Sequence, residues 1–313
     1  MIATQPYFEV TVAGLAQGAV FGLLALGLVL IYRTTGVLNF GHWAIGLMGI
    51  TVYIGLTSAH TPVLFAVLIT MAVCAAIGVL AYRFVFRHVP RSSQIIVILI
   101  AFGVAQLLSA LAEMALGFKA QVTMPGWLPA FTFHFGGATL KSSDLFTFLF
   151  AIGLGLGFLV WFRVSRTGRA LRAVAQNREA ALLAGIDDVK YSSIAWAIGA
   201  GLAAIAILLL IPHKATASGG GYQGYINTFD LTPLGTLLIP AFGAALVGGL
   251  VNMPAALAGG FVFGLAQNLR VLAPVPWNKL TYTIPAMMIV ILLLLRTERL
   301  FTTQQEREAL EGA

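Results

Sequence analysis

Charge is what this sequence has least of. Only 9% of its 313 residues are Asp, Glu, Lys or Arg, and 59% are hydrophobic, against roughly 25% charged in an ordinary soluble domain. A chain so composed cannot build a water-facing surface, which excludes a soluble domain, a nucleic-acid-binding module and a disordered chain. The mean hydropathy of +0.93 points instead to an integral membrane protein. Cysteine is almost missing: Cys74 stands alone inside an apolar run, so no disulfide framework or thiolate metal site is expected. No cleavable secretion signal is read, because the first apolar stretch is too long and no basic flank precedes it.

Deep ionisable groups are scarce as well. Glu113 sits near one end of its apolar run, Asp144 and Asp230 lie at run edges, and His42 is the one histidine, Asp, Glu, Lys or Arg that reads as deep. Proton- or sodium-coupled carriers normally place acidic or basic clusters at the bilayer midplane, and a potassium-type filter sequence is missing too. There is no G-x-x-x-x-G-K-[ST] phosphate loop, no metal-spaced His/Cys set and no Ser-His-Asp arrangement. The chain is therefore read as a non-enzyme with no metal or cofactor of its own.

What is present is a series of apolar runs. A span needs about 20 mostly apolar residues, and candidates fall at 11–31, 37–57, 62–82, 95–117, 144–162, 193–212, 231–250, 254–273 and 281–296. The expected fold is an all-α polytopic bundle of about eight to ten membrane-crossing helices, one transmembrane domain over 1–313 with no room for a separate soluble domain. Two long connections remain, 118–143 and 163–192.

With the N-terminus outside, one side of the membrane collects Arg33, Arg83, Arg87, Arg91, Arg163, Arg166, Arg169, Arg172, Arg178, Lys190, Arg296, Arg299 and Arg307. The other side keeps only Lys119, Lys141, Lys214, Arg270 and Lys279. The basic excess belongs in the cytoplasm, so the expectation is N-terminus out, C-terminus in. The prolines 233, 240 and 254 and the glycines of 231–273 allow either two crossings or a re-entrant pair there.

The 34 glycines have a packing explanation, since helices in lipid associate where small residues let backbones approach. Gly14, Gly18 and Gly22 form one such stripe, and Ala256, Gly260 and Gly264 form another. In the connection 118–143, the alternating Phe131 to Phe135, then Gly136-Gly137, then Ala138-Thr139-Leu140 reads as an external β-hairpin with a two-glycine turn.

Two segments carry most of the chemistry. Asn39-Phe40-Gly41-His42-Trp43 follows Gly36 closely. Asn and His are costly against lipid and the glycines permit a bend. The segment reads either as a broken helix start lining a water-accessible path or as a buried polar cluster between helices. The other segment runs from Ser165 to Ile186 and is strongly helix-forming. Asn177 can cap a second short helix, Glu179 suits its first turn, and Gly185 can stop it. Two short Ala- and Arg-rich helices at the membrane face would dock into a protein groove or rest on anionic lipid.

These residues resemble the membrane-spanning subunit of branched-chain amino-acid-type ABC importers, a permease family that also includes urea and amide importers, over nearly the whole chain. Gly14-Leu15-Ala16-Gln17-Gly18-Ala19-Val20 onward is similar to the family's first span, and Asn39-Phe40-Gly41-His42 resembles its Asn-Phe-Ala-His-Gly motif. Gly168-Arg169-Ala170-Leu171-Arg172-Ala173, with Ala180, Ala184, Gly185 and Ile186, looks like its cytoplasmic coupling loop. Val247-Gly248-Gly249-Leu250, Pro254 and the ending Arg296 to Leu300-Phe301 match its later pattern. Gly41 and Trp43 depart from the family's Ala and Gly, so the solute does not carry over.

The resemblance implies half of a translocation pathway in a prokaryotic inner membrane. Gln17, Asn39, Phe40, Gly41, His42 and Trp43 would line the pathway, and Arg169, Ala170, Arg172, Ala173, Asn177, Glu179, Ala180, Gly185 and Ile186 would couple to ATPases. It implies as partners a second permease subunit, identical or homologous, two ABC ATPase subunits that hold ATP and Mg, an extracytoplasmic substrate-binding protein, and membrane lipid, with no nucleic acid. The cargo would be a branched-chain-type amino acid or a related small neutral or zwitterionic solute. A urea, amide or aromatic-solute permease and a passive channel are the alternatives.

Overall fold

The structure is a computed structural model that describes residues 5–89, 94–117, 121–125, 131–135, 138–217, 226–230, 237–272 and 283–295. The Gly136-Gly137 turn, the ending from Arg296 to Phe301, and Arg91, Lys119, Lys279, Arg299 and Arg307 of the orientation argument lie outside the described residues. The helices are α1 (Gln5–Thr35), α2 (His42–Ser58), α3 (Val63–Leu80), α4 (Gln94–Ala115), α5 (Ser142–Val164), α6 (Arg166–Gln176), α7 (Arg178–Leu183), α8 (Asp188–Ala217), α9 (Leu238–Val247), α10 (Met253–Leu269) and α11 (Thr283–Leu295). Among the described residues, five helical segments are long and apolar enough to cross a membrane: α1, α3 with its extension to His88, α4, α5 and α8. The protein is thus an all-α membrane bundle with two small β elements.

At 31 residues, α1 is about 46 Å long, and it is the axis of the molecule. It is enclosed on nearly every side, packing on α10, α8, α5 and α9. Its closest partner is α10, which runs antiparallel to it, and here the two glycine stripes meet each other. A Cβ on Gly18 would stand 2.7 Å from Phe261 Cα and 2.9 Å from the Gly260 carbonyl oxygen, and a Cβ on Gly22 would stand 2.9 Å from the Leu257 carbonyl oxygen. A polar clamp lies beside this contact: Gln17 Nε2 donates to Gln267 Oε1 at 3.0 Å, and Asn268 Nδ2 donates to Gln17 Oε1 at 2.8 Å.

In contrast to α1, α3, α4 and α5 leave most of their apolar surface uncovered, as helices bordering lipid do. The described part of α9 is only 10 residues, about 15 Å, half of what a 30 Å hydrocarbon core requires. Its start adjoins 231–236, outside the described residues. A tight reversal at 248–252 joins it to α10. There Leu250 N donates to the Ala245 carbonyl at 2.9 Å and Gly249 N to the Leu246 carbonyl at 2.8 Å. Gly249 and Leu250 both take left-handed φ, 62° and 59°, and for Leu that costs about 1–2 kcal/mol.

The strands meet at one end of the bundle. β2 (Thr132–Phe135) pairs antiparallel with β3 (Ala138–Lys141), leaving two residues between Phe135 and Ala138. The Glu9 carboxylate of α1 accepts a hydrogen bond from Thr139 N, fastening this hairpin to the start of α1. β1 (Gln121–Pro125) pairs with β4 (Ile226–Asp230), in register Gln121↔Asp230 to Pro125↔Ile226. That pairing joins the connection before α5 to the one after α8.

The α1–α10 contact yields a direct test. A methyl on Gly264 would run into Gly18 Cα and N, whereas one on Gly157 of α5 meets nothing within 4 Å. Gly264→Ala should lower stability by about 1–3 kcal/mol, the ordinary cost of overpacking, and Gly157→Ala should be neutral or slightly stabilising. Denaturant or thermal unfolding of the two purified variants checks this; equal stability would mean the helices do not touch at backbone distance.

Candidate translocation pathway and coupling helices

Gly36 ends α1. It adopts φ +72° and its N–H donates to the Tyr32 carbonyl at 2.7 Å, a left-handed stop that glycine makes without steric cost. The chain then leaves helical geometry for 36–41 and turns back alongside α1. His42, the first residue of α2, packs against Gly27, where a Cβ would stand 2.7 Å from His42 Nε2. Gly27 lies eight residues, about 12 Å of helix, before the end of α1 at Thr35. The 36–41 segment is therefore an unwound stretch inside the protein, allowed at membrane depth only where it is shielded from lipid.

Asn39 is 4% exposed. Its Oδ1 accepts from Gly41 N at 3.1 Å, the local turn that Asx residues favour, while its Nδ2 has no hydrogen-bond partner among the described residues. With Phe40, Leu28, Leu38, Leu238, Phe242 and Leu250 it lines a void of about 10 Å³, room for one water molecule. The Phe40 ring stacks on Phe102 of α4 at 5.3 Å and 12°, and tilts against Phe242 of α9 at 5.5 Å. Gly41 rests on α4, where a Cβ would stand 3.1 Å from the Ala101 carbonyl oxygen. His42 is 1% exposed and neither ring nitrogen has a partner among the described residues. An unpaired buried polar group costs about 1–3 kcal/mol, so three such atoms within four residues make a costly arrangement.

The structure brings Asn39, Phe40, Gly41 and His42 together and sets two of the expected pathway residues apart. Gln17 is 2% exposed, bonded to Gln267 and Asn268, and ten residues, about 15 Å of helix, from Gly27. Trp43, half-buried, packs against the edge of the main apolar core and does not line the void. Sequence reasoning missed the ring partners Phe102 and Phe242, which nothing in either run singles out. It also missed a signal that was available: Phe102, Gln106, Ala110 and Glu113 recur at helical spacing and are all uncovered on α4, opposite its buried stripe of Val97, Ala101, Ala105, Ser109 and Ala112. Gln and Glu on a lipid-facing stripe would be expensive.

Both short helices of the other segment form. Ser165 Oγ accepts from Gly168 N at 2.9 Å to cap α6, and Asn177 Oδ1 accepts from Ala180 N at 2.9 Å to cap α7. Gly185, at φ +78°, follows α7. The two helices are attached differently. In α6 Leu171 and Ala170 are buried, Arg169 Nη1 donates to the Val164 carbonyl at 2.8 Å, and Arg172 donates to the Phe162 and Arg163 carbonyls while its guanidinium lies 5.5 Å from the Phe162 ring centroid. Ala173 is half-buried behind them.

On α7, by contrast, Glu179 and Ala180 are exposed, as are Asn177 before it and Gly185 after it, with Ile186 half-buried. Leu183 is 91% exposed; this leucine and Leu182 beside it were overlooked in the sequence, where they read as ordinary helix formers. The anchor of α7 is an ion pair from Arg178 to the buried carboxylate of Asp188 at the start of α8.

Comparison with known proteins agrees with this architecture. Residues 10–293 match the family described as the permease component of the branched-chain amino acid transport system. The chain is 28% identical over 276 residues to the high-affinity branched-chain amino acid transport system permease protein BraD of Pseudomonas aeruginosa, covering 83% of this chain and 85% of that protein. It is 26% identical over 270 residues to the permease LivH of Escherichia coli K12, covering 82% and 83%. Among solved structures, an ABC transporter of metal-chelate type in an inward-facing conformation superposes with a TM-score of 0.50 at 15% identity, over 92% of this chain and 85% of that one, a likeness of fold. With a family match that takes in α1, the unwound segment, both short helices and the α9–α10 reversal, this chain belongs to the permease components of branched-chain amino acid transport systems, multi-pass transport proteins of the plasma membrane.

Proposed function

We propose that this chain forms half of the translocation pathway of an ATP-driven importer for amino acids of the branched-chain type or closely related neutral or zwitterionic solutes. The observation that carries the reading is the unwound segment 36–41, which sets Asn39 and Phe40 at a void inside the bundle beside the uncovered Phe102–Gln106–Glu113 stripe of α4. Asn39 and Gln106 offer amide hydrogen bonds without net charge, suiting a zwitterion. The rings of Phe40, Phe102 and Phe242 suit an apolar side chain and close the path between solute passages. That ring cluster also fits an aromatic solute, which is the second reading.

In this proposal the N-terminus is outside and the C-terminus cytoplasmic, with eight to ten crossings, and the strands lie where an extracytoplasmic binding protein delivers solute. A second permease subunit covers the α4 stripe and completes the path. Two ATPase subunits, which carry ATP and Mg, engage the exposed α7 with its Leu182 and Leu183. Motion of α7 reaches the bundle through Arg178–Asp188 into α8 and through α6 into the ends of α5 and α1, a two-state rocking of packed helices.

Two measurements test this. Leu183→Glu, at a side chain open to solvent, should abolish co-purification of the ATPase subunits while the permease keeps its melting temperature; undiminished ATPase retention would remove α7 from the docking surface. Gln106→Leu should cut solute uptake in proteoliposomes about tenfold, one hydrogen bond's worth, with ATPase association unchanged. Normal uptake by that variant would mean the α4 stripe does not face the solute.

A further inference from the structure

Away from Asn39, three arginines from three helices line a single cavity of about 340 Å³, within the usual size range of small-molecule sites. Arg33 belongs to the last turn of α1, Arg163 to the last turn of α5, and Arg172 to the middle of α6. Its remaining walls are apolar apart from Asn252: Leu159 and Phe162 of α5, with Val251, Met253 and Pro254 from the α9–α10 reversal. No carboxylate lines it, and among the described residues none of the three guanidiniums forms an ion pair. Arg172 is held in place by the Phe162 and Arg163 carbonyls.

Three like charges gathered in one partly apolar cavity without a counter-charge repel one another, and an anion placed among them would relieve that repulsion. Guanidinium forks match phosphate oxygens in geometry as well as charge. The position narrows the choice of anion. Arg33 and Arg163 lie within the last few residues of the candidate spans Tyr7–Thr35 and Ser142–Val164, the depth at which headgroups sit. Val251 of the lining is itself exposed, and Val160, next to Leu159 on α5, is exposed as well, so the cavity opens beside apolar surface. That surface suits acyl chains and is a poor match for the acidic surface of a soluble partner, for which α7 offers the free face.

We infer that this cavity binds the phosphate headgroup of an anionic phospholipid, with its acyl chains along α5. Bound there, the lipid ties α6 to the ends of α1 and α5, the joint through which α6 acts on the unwound segment that follows Arg33. The inference rests on membrane residence and not on the identity of the solute.

The test uses the full-length permease in phosphatidylcholine vesicles with increasing phosphatidylglycerol, either lipid carrying bromine on its acyl chains. With a tryptophan placed in the cavity wall by Leu159→Trp, brominated phosphatidylglycerol should quench that added tryptophan at mole fractions where brominated phosphatidylcholine does not. Arg33→Gln with Arg163→Gln should raise the half-quenching mole fraction about thirtyfold, as expected when two basic contacts at a membrane surface are lost. Arg163→Gln alone, at an exposed side chain, should give a smaller shift and serves if the double variant misfolds.

Equal quenching by both lipids, or an unchanged double variant, overturns the inference. Stabilisation of the wild type by inorganic phosphate in neutral vesicles, lost in the double variant and without any phosphatidylglycerol preference, would assign the cavity to a soluble anion and overturn the lipid. Loss of the quenching when ATPase subunits bind would place a protein surface there and overturn it too. These readouts need neither solute nor ATP, so import can fail while lipid binding stands, and the reverse.

Discussion

The contact between α1 and α10 is the constraint on which the rest of the structure depends. Between them no side chain separates the backbones at Gly18, Gly260 and Gly264, and in an apolar medium such close approach is what holds helices together, because lipid gives no hydrophobic drive for their association. Once α10 lies on α1, α9 and the reversal at 248–252 are brought against the far end of α1. Phe242 and Leu250 then reach Phe40 and Asn39. The polar clamp of Gln17 with Gln267 and Asn268 ties the two helices together in this register.

Around that rigid centre the protein concentrates its local costs. The unwound 36–41 stretch, the polar atoms of Asn39 and His42 that have no partner among the described residues and the left-handed Leu250 all lie near the void. Each is unfavourable by itself, and they persist because the surrounding helices leave the segment no alternative, the usual condition for strain at functional sites. The short helices show the same division between rigid and free parts. α6 is fastened to the end of α5 by buried Leu171 and the Arg172 hydrogen bonds, so it moves with the bundle. α7 shows its leucines to solvent and is tied down chiefly by Arg178 and Asp188.

Much of this was legible in the sequence wherever the determining physics is local. A bilayer admits only segments that satisfy their own backbone hydrogen bonds over a known thickness, so apolar runs located the long helices. The cap Asn177 and the stop at Gly185 act within three or four residues, as do the alternation and turn spacing of β2 and β3. The break near Gly36 and the gathering of Asn39 with His42 were readable for the same reason. The run 231–250 was only partly legible, because proline and glycine signal an interruption without saying how long the surviving helix is.

Other features came from tertiary structure alone. β1 and β4 pair across more than a hundred residues of chain, Phe40 finds rings on two distant helices, and Gln17 turns out to clamp helices rather than join Asn39. Most telling is the difference between α1 and α5, both long and strongly apolar, of which one is enclosed as the axis and the other left largely bare. Composition cannot separate those two fates, because a lipid tail and a neighbouring helix are both apolar surroundings, and only the positions of small residues against another backbone decide which of them a helix meets.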